Sequence, residues 1–297
     1  MIRSPSSIAF TIAAIGIAVY SGMDAVVKGL SISSGAYSAV LWRSIAGVAL
    51  TGTIFVARGN SWPARDVLRL HIMRGLAAGM SVVLFFWGLV RVPMAQGVAL
   101  TFLAPLIALY LAAAMLGERI RRAAIFGSVI ACVGVCVIAL GQARTDPSAN
   151  SLYGSGAILI ASVLYAWSLV LLRQQAQIAD PIEVTLFTSL VIGAALLLGA
   201  PWFASIPAST QLPMIGLAAV LGSFSAAMLA WAYSRAEAQV LAPVEYTAFV
   251  WSALLGWLVF GEPVSLYTVA GAGLIIAGCL AAIRGTAAPA PQTEAAA

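Results

Sequence analysis

Charge is what this chain has least of. Asp, Glu, Lys and Arg make up 8% of its 297 residues, against roughly 25% in a soluble globular chain. That deficit excludes a water-facing globule, because too few charges remain to coat one. Histidine occurs once, at His71, and cysteine three times, at Cys132, Cys136 and Cys279. No Cys-x-x-Cys pair and no His/Cys cluster is present, so no metal site, cofactor or disulfide framework is expected. The cysteines fall inside apolar runs and read as small buried residues. There is no Gly-x-x-x-x-Gly-Lys phosphate loop and no paired-carboxylate motif, which argues against an ATP-driven machine and against an enzyme. The net charge of +5 is scattered between apolar runs, not gathered into a basic patch, so no nucleic-acid partner is expected.

What remains is apolar. Hydrophobic residues make up 62% of the chain, and mean hydropathy is +1.02. A chain of this kind belongs in a lipid bilayer, where every backbone amide needs an internal partner and only helices or closed barrels satisfy that need. Barrel strands alternate apolar and polar residues. Here the apolar runs are continuous, so the expected class is an all-α integral membrane protein.

About ten runs approach the roughly 20 residues that span a bilayer: 8–27, 36–57, 70–90, 94–116, 123–141, 152–172, 181–200, 212–233, 240–260 and 265–283. A cleaved signal peptide fits the first run poorly, since its apolar part is long and no clear cleavage site follows. The turn Arg91-Val92-Pro93 is so short that the third and fourth helices must pack antiparallel. Trp62 and Trp202 sit where interfacial anchors belong. The polar segment 142–151, with Asp146-Pro147, is the one linker near the middle, and the tail 284–297 is Ala/Pro-rich and expected to be disordered and cytoplasmic. With loops assigned alternately, ten basic residues fall on the N-terminal side and three (Lys28, Arg91, Arg144) on the other, which puts both termini in the cytoplasm.

The chain also repeats itself. At an offset of 144 residues, Ser81 returns as Ser225, Trp87 as Trp231, Arg91 as Arg235, Gly117-Glu118 as Gly261-Glu262, Gly127 as Gly271 and Gly134 as Gly278. At 145, Tyr20 returns as Tyr165 and Lys28 as Arg173. Five helices per copy forces the second copy to enter the bilayer upside down. The expected architecture is two inverted five-helix repeats, 8–141 and 152–283, as in many secondary transporters.

Several segments resemble a known family. Ala95-Gln96 through Leu103-Ala104-Pro105 to Leu116-Gly117-Glu118 is similar to the fourth helix of the drug/metabolite transporter superfamily, EamA type. Ala238-Gln239 through Pro243 to Phe260-Gly261-Glu262 is similar to its ninth, and Leu41-Trp42-Arg43 to its second. The resemblance implies a ten-helix inner-membrane carrier of amino acids, metabolites or drugs, closest to exporters of aromatic and other neutral amino acids. It also implies a capping or gate role for Glu118 and Glu262. A broad-specificity efflux carrier is the alternative; a membrane-embedded enzyme or a non-transporting assembly partner is a weaker one.

Ionisable groups inside a bilayer are costly and are functional candidates by default. Arg43 and Asp24 would form an ion pair lining an outer vestibule, Arg43 meeting a substrate carboxylate; a structural pair or snorkelling is the competing account. Glu245 corresponds to Thr101, and both stand near prolines that permit a kink (Pro243 and Pro105). A midplane site there would use these groups, and Glu245 would be able to carry a proton or couple another ion; an interhelical hydrogen bond is the alternative. Gln96 belongs to the same candidate set. Tyr20, Trp42, Trp87, Tyr165, Trp167, Trp231 and Tyr246 fall inside helices and would suit an aromatic-lined cavity or lipid-facing packing equally. Arg74 and Glu183 read as snorkelling residues, His71 as a solvated interfacial one, and the Gly271–Gly278 stretch as helix packing.

Overall fold

The computed structural model describes residues 5–116, 122–145, 148–175, 178–233 and 244–284. Every regular element among them is helical. The order is α1 (Pro5–Ser34), α2 (Ala36–Ala57), α3 (Arg65–Leu89), α4 (Met94–Thr101), α5 (Ala104–Leu116), α6 (Arg122–Thr145), α7 (Ala149–Gln175), α8 (Pro181–Phe203), a 3-10 turn (Ser209–Gln211), α9 (Leu212–Tyr233), α10 (Thr247–Phe260) and α11 (Leu266–Arg284). Eight described stretches are long and apolar enough to cross a bilayer, α4 and α5 together counting as one, and α10 and α11 are shorter apolar helices. The chain is a multi-pass helical membrane protein built from two inverted five-helix copies.

The inversion is visible in the packing. α1 packs on α9 as α7 packs on α3, and α5 packs on α7 as α10 packs on α1, each pair mapping onto the other when the copies are exchanged. α6 and α11, the last helices of the two copies, cross on the symmetry axis. A Cβ on Gly134 would stand 2.6 Å from the Gly271 carbonyl oxygen, and one on Gly278 would stand 2.4 Å from the Gly127 carbonyl oxygen. Because Gly134 corresponds to Gly278 and Gly127 to Gly271, the two contacts are one contact made twice. Glycine is required here so that two backbones can touch. Phe102 and its counterpart Tyr246 also meet, with ring centroids 5.2 Å apart in an edge-to-face pair.

The fourth spanning run is broken where a proline was expected to loosen it. Pro105 has no N–H to give to Thr101, so α4 ends there. Phe102 and Leu103 close the break with short bonds to Ala99 and Leu100, and α5 restarts at Ala104.

Several expectations change. The first helix continues past Val27 to Ser34, so Lys28 lies within α1 and is 1% exposed. Cys132 and Cys136 are exposed on α6, while Cys279 is buried; the small-buried reading holds for one of three. They face outward because α6 turns its glycines, not its cysteines, toward α11. Gly117-Glu118, Arg119, Arg121, the linker Asp146-Pro147, Arg235, Ala238-Gln239, Pro243 and the tail beyond Arg284 lie outside the described residues.

Candidate functional site

A cavity of about 240 Å³ lies between α1, α2, α3, α8 and α9. It exists because α9 shows it only small side chains, Ala218, Ala219, Gly222, Ser223 and Ala226, spaced to share one helical face. The opposite wall carries Tyr20, Met23, Arg43, Ser44 and Arg74. Tyr20, which lines the cavity, and its repeat counterpart Tyr165, which does not, are both exposed.

Arg43, expected in an outer vestibule, lines this cavity, whereas Asp24 and Glu245 do not. Asp24, Tyr165 and Arg43 are electrostatic neighbours of Tyr20, and Glu245, Arg74 and Asp24 are neighbours of Tyr165. Arg43 and Asp24 do not form a close ion pair, since Arg43 Nη1 instead donates to the Met23 thioether at 3.2 Å. A thioether is a weak acceptor, so most of the guanidinium's donor capacity is unspent among the described residues. Asp24 itself is buried.

Arg74 does not snorkel. Its Nη1 donates to Gln175 Oε1 at 3.1 Å and to Thr188 Oγ1 at 2.6 Å, while its buried Nε has no partner. His71 is likewise not solvated: it is 1% exposed and stacked on Phe187 at 4.7 Å. Its Nε2 lies 2.9 Å from Glu183 Oε1, and its Nδ1 meets the Gln175 amide nitrogen. Glu183 is thus paired across helices, where snorkelling was expected. The network also assigns the tautomer. Arg74 can only donate, so it fixes the Gln175 oxygen toward itself and the amide nitrogen toward His71. Nδ1 must then accept, which places the neutral ring's proton on Nε2, donated to Glu183.

The remaining candidates stand apart. Gln96 is buried in a polar knot, donating to Gln142 Oε1 at 2.6 Å and to Ser155 Oγ at 3.2 Å. The Thr101 hydroxyl bonds back to Val98 O within its own helix. Tyr246 packs on Phe102. Trp87 is covered by the Arg91 guanidinium, 3.5 Å from the ring centroid, and Arg91 Nε donates to Asn150. The Trp42 indole donates to Ser205 O at 2.9 Å. Trp167 is half-buried on α7. None of these lines the cavity, nor does Trp231, which packs beside Ala232 and Val244. Glu245 is exposed and has partners.

A second arrangement closes the end of the bundle that holds the α3–α4 turn. Gly261 ends α10 in the left-handed region (φ 66°), and Glu262 N–H bonds back to Gly256 O, a glycine C-cap. That turn aims the Glu262 carboxylate inward. One oxygen pairs with Lys28, and the other accepts Met94 N–H at 2.7 Å, in the first turn of α4. Lys28 also donates to Val92 O at 3.1 Å and lies over the Phe260 ring. The Gly-Glu motif is thus a device for tying α1, α4 and α10 together at one end. Its first-copy counterpart, Glu118, lies outside the described residues.

This paired-copy architecture around a small polar cavity has known relatives. The EamA-like transporter family matches twice, over residues 7–140 and 152–284. The chain belongs to that family. Like the family's other members it is a membrane transporter. The Pseudopaline exporter CntI of Pseudomonas aeruginosa strain UCBPP-PA14 is 27% identical over 272 residues, covering 89% of this chain and 92% of the relative. A riboflavin transporter of Brucella anthropi is 24% identical over 82% of this chain and 86% of its own. An S-adenosylmethionine uptake transporter of Rickettsia prowazekii is 27% identical over 71% of this chain and 70% of its own. A protein of known crystal structure superposes with a TM-score of 0.58 over 93% of this EamA chain and 96% of its own, at 20% identity, a likeness of fold alone.

Sequence reasoning missed Arg74, Thr188, Gln175 and His71 as one connected set. One signal was available. At the 145-residue offset Ser44 pairs with Ser189 and Arg43 with Thr188, and all four line the cavity.

Proposed function

We propose that this chain is an inner-membrane secondary carrier, both termini cytoplasmic, that exports small amphipathic metabolites bearing a carboxylate, aromatic and neutral amino acids foremost. Transport runs by alternating access through the cavity between the two copies. The observation that carries the reading is Arg43, a cation facing the cavity whose hydrogen bond goes to the weak Met23 thioether acceptor. A substrate carboxylate supplies the bidentate partner that the guanidinium lacks. The exposed face of Tyr20 offers an amphipathic wall to an apolar or aromatic side chain. Asp24, within electrostatic range of Arg43, suits the ammonium. The Lys28–Glu262 clasp acts as the gate on the periplasmic side, and the excess of Lys and Arg on the N-terminal side sets the orientation. A broad-specificity efflux carrier is the second reading, favoured by relatives named for guests as unlike as pseudopaline, riboflavin and S-adenosylmethionine.

Counterflow of radiolabelled amino acids in proteoliposomes tests the proposal. The wild-type chain should exchange them. Arg43→Ala should lose the exchange at unchanged insertion and monodispersity. Full counterflow by Arg43→Ala would remove that arginine from the site, and no amino-acid exchange by wild type would leave the broader reading.

A further inference from the structure

The two cavity arginines come from the first copy, and neither has a carboxylate within ion-pair distance among the described residues. Arg43 is held by sulfur, and Arg74 by two neutral oxygens with its Nε buried and unmatched. Glu183, on the neighbouring helix, accepts from the neutral His71 ring and is not part of the lining. Asp24 is the nearest acid to Arg43 and is not itself part of the lining. Glu245 neighbours Tyr165 and also lies outside the lining. Among the described residues two cations line the cavity and no carboxylate does.

The repeat sharpens the asymmetry. Thr188 and Ser189, the counterparts of Arg43 and Ser44, line the facing wall without charge. One wall is therefore cationic, and the other carries hydroxyls and methyls. A simple amino-acid zwitterion would occupy Arg43 and Asp24 and leave Arg74 facing the guest with nothing to hold. A buried charge without an opposite partner is costly, so the cavity is complementary to a guest that brings one negative charge more than a zwitterion does.

We infer that the cavity selects guests carrying two acidic groups, as an amino-dicarboxylic acid or a carboxylated amino-acid derivative does, one acid held by Arg43 and the second by Arg74. This rests on the carrier reading above and moves its substrate class from neutral amino acids to acidic ones. Arg74 is pre-positioned for that role, because Gln175 and Thr188 hold the guanidinium at the cavity wall by neutral bonds that a carboxylate outcompetes.

The test compares acids with their uncharged isosteres on the full-length chain in detergent and in proteoliposomes. L-glutamate and L-2-aminoadipate are set against L-glutamine and L-phenylalanine. Wild type should bind the acid at least about tenfold more tightly than its amide, the scale of one charge-assisted hydrogen-bond pair. Arg74→Gln should bring that ratio to about one, and Arg74→Lys should restore part of it. Equal binding of glutamate and glutamine by wild type would overturn the inference without any variant, so an Arg74 variant that fails to fold does not shelter it. Counterflow of phenylalanine and glutamine but not of the acids would sink this inference and leave the carrier reading standing. Counterflow of neither class would sink both.

Discussion

Adding one methyl group at the α6–α11 crossing should destabilise the protein at two places equally. In Gly134→Ala the new Cβ would sit 2.6 Å from the Gly271 carbonyl oxygen, 2.8 Å from Ile275 Cγ1 and 3.0 Å from the Ile275 amide nitrogen. A carbon–oxygen contact relaxes at about 3.3 Å, so the helices must part by roughly 0.7 Å. Two of the three obstructing atoms are backbone and cannot rotate away. Overpacking of this kind costs about 1–3 kcal/mol, offset by up to about 1 kcal/mol from alanine's better helix propensity. Gly278→Ala meets Gly127 O at 2.4 Å and Ala131 N at 2.8 Å and should cost the same. Gly273→Ala on the same helix meets nothing within 4 Å and should be neutral or slightly stabilising. Thermal unfolding in detergent, followed by intrinsic tryptophan fluorescence, should place the first two variants about 2 kcal/mol below the third. If Gly134→Ala matches Gly273→Ala, the close crossing is wrong. If one of the pair is destabilised and the other is not, the two contacts are not symmetry mates.

Two further outcomes follow from the polar networks. Glu262→Gln strands the Lys28 ammonium, 1% exposed, and should cost about 3–5 kcal/mol, whereas Lys28→Met combined with Glu262→Gln should recover most of that loss; additive losses in the same unfolding assay would dismantle the clasp. Because His71 is the sole histidine, nitrogen-15 labelling of histidine gives one imidazole, and its neutral form should show the Nε2–H tautomer; an Nδ1–H tautomer would reverse the Gln175 orientation and break the Arg74 contact.

The fold was legible because its determinants are long-range and repetitive. Apolar run length sets span number, and the echo of Trp87, Arg91 and Gly117-Glu118 sets the inversion, neither of which depends on side-chain detail. The cavity was legible in part. Tyr20 and Arg43, which line it, were reachable because intramembrane charge and repeat-paired tyrosines are rare, whereas Asp24, Tyr165 and Glu245 stand outside the lining. Arg74, His71 and Glu183 were misread because closeness to a helix end looks like snorkelling in one dimension. The partners that hold them inward, Gln175 and Thr188, come from other helices. Gln96 reads as a site residue until Gln142 and Ser155 are seen to occupy its amide.

The pairing of Phe102 with Tyr246 has a consequence for motion. When two bundles trade roles, a contact between one residue and its own counterpart is carried onto itself, so it need not break. In the carrier proposed above, the ring pair, with the glycine crossing of α6 and α11, would serve as a bearing about which the halves turn. The Lys28–Glu262 bond joins residues that are not each other's counterparts, so the same exchange carries it to a different place. In the alternating-access carrier proposed above, it marks one posture of the molecule and would open when the other is reached.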